Sequence, residues 1–207
     1  MGSRDYAPPP PGPPGARKNP PRPGPPPAAV PADAEAGAAA AGVQAHLDRG
    51  DPLLAYDLAQ GALARWPGHV RLRQLQGLAL ARAGDVARAH GVFSALEAQG
   101  HGDAETLGML ARTAKDLGLR EPAGAARTAH FTRAFGLYER AYESARRGDV
   151  AADAIYAGVN AATMAVLLGR AERAREIATR VRAIAAASDP GRGAAAYWRE
   201  ATLGETA

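Results

Sequence analysis

Residues 155 to 184 read IYAGVNAATMAVLLGRAERAREIATRVRAI, a pattern that predicts two helices folded back on each other at Gly169-Arg170. In the second half, Ala174, Ile177, Ala178, Val181, Ile184 and Ala185 recur at steps of three and four and share one helix face. Glu172, Arg173, Arg175, Glu176, Arg180 and Arg182 fall mostly on the other. The first half has almost no polar side, because Ala161, Ala162, Met164, Ala165, Val166, Leu167 and Leu168 run together, so that helix needs cover on more than one flank. Gly158, Ala161, Ala162 and Ala165 let a neighbouring helix approach closely, and Gly169 can take the left-handed conformation that ends a helix and reverses the chain.

The same grammar recurs upstream. Residues 77 to 96, GLALARAGDVARAHGVFSAL, place Gly77, Leu80, the turn glycine Gly84, then Ala89, Phe93 and Leu96 in the order and spacing of a tetratricopeptide helix pair, whose period is about 34 residues. One period back, Ala55, Ala59 and Ala62 fall under Ala89, Phe93 and Leu96; in the hairpin at 155–184, Gly169, Ala174, Ala178 and Val181 fall under Gly84, Ala89, Phe93 and Leu96. An intermediate unit shows Leu107, Leu110, Ala111, Ala114 and a turn glycine at Gly118, with its second helix resuming near Ala134, Tyr138 and Ala141. That implies an insertion of about ten residues relative to the period. The expected fold is all-α: a solenoid of about four irregular helical hairpins over residues 33–207, preceded by a disordered Pro-rich tail over 1–32. An alanine-rich helical bundle is the competing architecture.

Composition sets bounds on function. There is no cysteine, hence no disulfide framework and no thiolate metal site. No apolar run reaches the roughly 18 residues of a membrane span, and the N-terminus lacks the apolar core of a signal peptide, so the chain reads as cytoplasmic with no membrane partner. The net charge is +4, but Arg4, Arg17, Lys18 and Arg22 against Asp5 and Asp33 place half of it in the tail. Basic residues alternate with acids along the helices instead of forming a stripe, which argues against nucleic acid.

Taken in order, residues 1 to 32 hold 13 of the 17 prolines. Such a segment cannot join a helix or a sheet ladder. It reads as a solvated spacer, while Pro-x-x-Pro spacings around Arg17, Lys18 and Arg22 also fit a ligand for an aromatic-lined groove. A first helix runs to about Arg49 with Val43 and Leu47 as its later apolar positions. Asp51-Pro52 then supplies an N-cap and a first-turn proline for a helix with Leu54, Leu58, Ala62 and Trp66 near one face, stopped by Pro67-Gly68. A hairpin spans about 70–100, and Asp103 caps a helix to about Leu117. Residues 119–128, with Pro122 and Gly124, read as a loop where the period breaks. The helix from about His130 to Arg146 gathers the aromatics, with Tyr138 and Tyr142 as candidates for inter-helix hydrogen bonds. Asn160, polar in an apolar run, caps its helix, cross-links to a neighbour or contacts a ligand. Residues 188–191 form a loop, and a last helix begins at Tyr197.

Two stretches narrow the likeness: Ala111-Arg112-Thr113-Ala114-Lys115-Asp116-Leu117, and Ile155-Tyr156-Ala157-Gly158-Val159-Asn160-Ala161-Ala162-Thr163 followed by Leu167-Leu168-Gly169-Arg170. With Tyr197-Trp198 and Ala201-Thr202-Leu203-Gly204-Glu205, they resemble the tetratricopeptide-type TRAF-binding domain of the central regulatory region of apoptosis signal-regulating kinases and of many bacterial proteins. The resemblance covers about Val70 to the C-terminus and implies a non-catalytic interaction and regulatory module, often fused to a kinase or effector. No such domain is fused here, and the chain ends where the family's pattern continues into another helix, which suggests truncation or a partner.

No catalytic constellation is present. His46, His69, His90, His101 and His130 are scattered, with no helical pair and no carboxylates at metal-ligand spacing, and no phosphate-binding glycine loop occurs; no cofactor is expected. The expected function is protein–protein interaction: an adaptor that presents a preformed groove, lined by the first helices of its hairpins, and the inserted loop of the third unit to a protein partner, a kinase or effector among the candidates. Candidate partner-binding residues are Arg71, Gln74, Arg112, Lys115 and Asn160. Arg112 and Lys115 share a face beside Asp116 and suit an acidic segment, or else form a solvated face or an internal ion pair. A carboxylate clamp for a peptide C-terminus is not assembled, because these residues miss its columns. The alternative class is a regulatory subunit that senses a small ligand for a separately encoded effector.

Overall fold

The computed structural model describes residues 32–148 and 150–188, with the isolated positions 201 and 204. The Pro-rich tail, all but its final residue, lies outside the described residues. So do Asp149, the loop residues beyond Ser188 and, apart from Ala201, the helix expected from Tyr197.

Eight helices occupy the described residues: α1 (Ala32–Asp48), α2 (Pro52–Arg65), α3 (Val70–Arg82), α4 (Val86–Ala98), α5 (Ala104–Arg120), α6 (Ala125–Arg147), α7 (Ala151–Leu167) and α8 (Ala171–Ala187). They pair as four antiparallel hairpins, α1/α2, α3/α4, α5/α6 and α7/α8. Each first helix also touches the next, α1 on α3, α3 on α5 and α5 on α7, whereas no pair of second helices packs as closely among the described residues. The first helices therefore line the inner face of the stack.

The repeat grammar is visible in the turns. After α1, α3 and α7, glycines at 50, 84 and 169 take φ of 84°, 90° and 73°. The amide of the next residue closes onto the helix: Asp51 N to His46 O at 2.9 Å, Asp85 N to Leu80 O at 2.9 Å, Arg170 N to Ala165 O at 2.8 Å. This satisfies carbonyls that a helix C-terminus otherwise leaves open, in a backbone conformation that only glycine adopts cheaply. Asp85 and Asp103 cap α4 and α5 through their side chains, accepting from Arg88 N at 3.1 Å and Thr106 N at 2.7 Å. Asp51 occupies the equivalent place before Pro52 but makes no such bond; its carboxylate faces His46 and Arg49 instead.

Two packed clusters hold the stack. One joins α1, α2 and α3 through Val43, Leu47, Ala55, Ala59, Leu72 and Leu75; the other runs from Leu80 and Phe93 through the α5/α6 hairpin to Ile177 and Val181, and Tyr56 packs on both. Helix α1, weak by propensity because of Gly37 and Gly42, is held by burial of Ala36, Ala40, Val43 and Leu47. Close approach depends on absent side chains. A Cβ on Gly158 would lie 2.3 Å from Val181 Cγ2 and 3.1 Å from Tyr142, and one on Gly77 would lie 2.7 Å from Phe93 Cζ.

Four expectations are corrected. First, the break in the period is not a loop: α5 continues to Arg120 and α6 begins at Ala125, so only residues 121–124 connect them and the extra length is helical. Second, Gly118 is no turn glycine. It is buried inside α5, where a Cβ would stand 2.8 Å from Phe131, so the insertion extends the two helices while their packing stays in register. Third, Leu54 and Leu58 do not face the core; α2 packs through Ala55 and Ala59, which bring it close to α1 and α3 and leave the leucines 46% and 42% exposed. Fourth, Tyr138 and Tyr142 are buried as expected, but among the described residues neither hydroxyl has a partner at full hydrogen-bond geometry; Tyr156 is the polar neighbour of Tyr138.

Helix α7 is flanked by α5, α6 and α8, as its apolar run requires, yet Val166 and Leu167 at its C-terminal end stay exposed.

Candidate functional site

The candidate residues fall on the first helices, where the structure sorts them into two groups. On α3, Arg71 reaches across to both neighbours: its guanidinium donates to Gln44 Oε1 of α1 at 3.1 Å, to Gln74 and to Glu105 of α5. Gln74 is buried, and its amide donates to Thr106 Oγ1 at 2.9 Å and to the Asp103 carboxylate at 3.2 Å. These two residues form a polar ladder that stitches α1, α3 and α5 together. A buried amide with fully used donors is a structural tie.

The second group lies between α5 and α7. Arg112 is exposed and sits 3.9 Å from the carboxylate of Asp116, one helical turn on. Lys115 is half-buried, and its ammonium donates to Asn160 Oδ1 of α7 at 3.3 Å; among the described residues it forms no ion pair. Burial holds its pKa below the ordinary value, and neighbouring Arg112 adds to the depression while Asp116 opposes it. Asn160 does not cap a helix. It stands in the middle of α7, where Nδ2 donates to Tyr156 O at 2.9 Å and Oδ1 is left to take Lys115. The cross-link reading therefore describes it. The structure thus brings Arg112, Lys115 and Asn160 together and leaves Arg71 and Gln74 one helix away.

Toward the N-terminal ends of the same two helices lies a cleft of about 350 Å³, with Glu105, Gly108 and Met109 on the α5 wall and Asp153, Tyr156 and Ala157 on the α7 wall. Gly108 lets the Tyr156 ring lie against α5, where a Cβ would be 3.6 Å from Tyr156 Cε1. Tyr156 is 45% exposed, an aromatic face presented to solvent on the inner side. Beneath it, Tyr138 of α6 packs edge-on with ring centroids 6.3 Å apart. Tyr138 is completely buried, and burial, with Tyr156 beside it, holds the phenol protonated well beyond its ordinary range. The α5 charges Asp116 and Arg112 also act on this hydroxyl, with opposite signs. Sequence reasoning missed Tyr156, Asp153 and Glu105. Tyr156 carried the only signal, as an aromatic at the start of an otherwise small-residue helix.

A second concavity of about 400 Å³ lies on the other layer between α6 and α8, but Arg140 and Arg173 there are already paired with Glu97 and Glu139. The histidines serve packing and capping: His69 Nδ1 accepts from Leu72 N at 3.2 Å, and His90 Nδ1 meets Thr113 Oγ1 at 2.9 Å. Among the described residues no group of three or more His, Asp or Glu is placed to hold a metal ion, and no helix is long and apolar enough to cross a membrane.

No curated protein matched the chain. Residues 53–165, which run from the start of α2 to the last turns of α7 and take in both walls of the cleft, match the family model described as Tetratricopeptide Repeats-Sensor. The hairpins, their turns and this match over more than half of the sequence agree: the chain belongs to the Tetratricopeptide Repeats-Sensor family.

Proposed function

We propose that the chain is a non-catalytic interaction module that receives a segment of a protein partner on the face made by its first helices. Lys115 carries the reading. It is a half-buried ammonium on the inner face whose hydrogen-bond partner is a neutral amide, with exposed Arg112 beside it and a single carboxylate, Asp116, near both. An acidic side chain supplies the counter-charge the site lacks. Arg112, Lys115 and Asn160 make the contact, and Arg71 and Gln74 hold the neighbouring wall. The division into a Pro-rich tail over 1–32 and a repeat domain over 33–207 rests on proline content, a cytoplasmic setting on the composition, and a kinase or effector as partner on the resemblance to the TRAF-binding domains of apoptosis signal-regulating kinases and their bacterial counterparts.

The test is affinity capture of the tagged chain from its native lysate, with and without residues 1–32, followed by mass spectrometry. A stoichiometric protein retained by both forms supports binding by the repeats; no protein with either form removes the adaptor reading.

A second reading, a sensor of a small ligand for a separate effector, is favoured by the family's description and by a cleft whose volume lies in the range of small-molecule sites. A metabolite that copurifies with the chain and is released on denaturation would favour it.

A further inference from the structure

The inner groove between α5 and α7, of which the cleft is the N-terminal part, has a charge order along its length. Gly108 lies against Tyr156 and Lys115 against Asn160, so the two helices run parallel across the groove. On α7, Asp153, Tyr156 and Asn160 follow at steps of three and four and share a face. Glu105 is neutralised by Arg71 on its far side, whereas Asp153 forms no ion pair among the described residues. At the other end, Lys115 reaches Asn160 and, among the described residues, forms no ion pair. An uncompensated acid and an uncompensated cation therefore sit about 10 Å apart, two helical turns, with the exposed Tyr156 ring between them.

We propose that this groove reads a segment of a protein partner in the polyproline II conformation, whose three-residue turn puts a basic and an acidic residue three positions apart on one side. The basic side chain lies against Asp153 and the Tyr156 ring, and the acidic one meets Lys115 and Arg112. The backbone between them crosses the exposed Tyr156 ring. The spacing follows from the polyproline II rise, about 3.1 Å per residue with three residues per turn, against the separation of the two charges. Tyr156 adds a cation–π surface for the basic residue. The proposal rests on the reading of the first-helix face as a partner surface and adds the charge pattern that surface selects.

The experiment measures binding of the full chain to end-blocked peptides of about ten residues, a length that spans the groove when extended. One Lys and one Glu are placed in a Ser/Ala background one, three or six positions apart, in both orders, beside peptides with two Lys or two Glu. The expected result is that one order of the three-apart peptide binds at least about tenfold tighter than every other peptide. The double variant Asp153→Lys, Lys115→Glu reverses the preferred order. If the double variant does not fold, Asp153→Ser and Tyr156→Ala each carry the test, with a loss of about fivefold or more for the preferred peptide alone.

Affinities that follow net charge and ignore spacing overturn the proposal, as does a charge-swapped variant that keeps the original order. Free glutarate or free lysine binding as tightly as the peptide assigns the cleft to a small ligand and also overturns it. If no peptide binds but native partner capture is still lost on charge reversal of Arg112 and Lys115, the charge rule fails and the partner surface stands.

Discussion

Lys115 of α5 donates to Asn160 Oδ1 of α7 at 3.3 Å, and this bond joins two first helices whose aligned faces carry the exposed charges of the groove. It leaves the ammonium short of negative charge. Because burial is the main cause of its lowered pKa, opposed by Asp116 and helped by the smaller effect of Arg112, the side chain should titrate below its ordinary 10.5 in a heteronuclear NMR experiment. The folded state then binds fewer protons than the unfolded one between the depressed value and 10.5, so this group's penalty fades as pH rises through that window. An acidic ligand in the groove should move the midpoint back up. A midpoint at or above 10.5 in the free chain would remove the uncompensated charge from the argument.

Tyr138→Phe should leave stability unchanged or raise it by up to about 1 kcal/mol, since the hydroxyl makes no hydrogen bond and its burial is costly. The folded pKa of the phenol is raised, so the sign is that of stability present below about pH 10 and lost above it, where the unfolded phenol ionises and the folded one does not. Urea unfolding between neutral and alkaline pH should therefore show a shallower decline for the variant. A loss of more than about 1 kcal/mol at neutral pH would mean that the hydroxyl has a partner.

Gly158→Ala puts a methyl 2.3 Å from Val181 Cγ2, and backbone-borne atoms cannot rotate away. Overpacking of this kind costs about 1–3 kcal/mol. Val181→Ala in the same chain removes the clashing carbon and should recover part of the loss, as judged by denaturant midpoints of the single and double variants. Equal additive losses would contradict the contact.

Gln74→Ala removes the amide that serves Thr106 and Asp103 and leaves the wholly buried Thr106 hydroxyl without that donor, at a cost of about 1–3 kcal/mol. Arg71→Ala breaks a more solvated set of bonds and should cost less than about 1 kcal/mol. The reverse order would place the tie between α3 and α5 in the ion pair instead of the amide.

What the sequence made legible is what periodicity and glycine placement encode. The hairpins at 70–98 and 151–187 follow from Gly84 and Gly169 with their apolar columns, and the family match confirms the repeat class. The α5/α6 junction was misread because Pro122 and Gly124 signal a break, whereas helices on either side can lengthen wherever a buried face continues; Gly118 against Phe131 is such a face. Leu54 and Leu58 misled for a related reason: when alanines bring helices close, larger residues on the adjoining flank are left outside. Within the candidate site, the charge pair Arg112 and Lys115 was visible as a shared face. Their relation to Asn160, and the aromatic and acidic end of the cleft, depend on which helices stand side by side 45 residues apart, and local pattern does not report that.

Partner capture by the full chain, set beside an Arg112→Glu, Lys115→Glu double variant with circular dichroism on the same samples, bears on the groove itself. The account expects capture to fall by at least about tenfold while helicity is retained. Unchanged capture by a folded double variant would contradict it and move binding off the α5–α7 face.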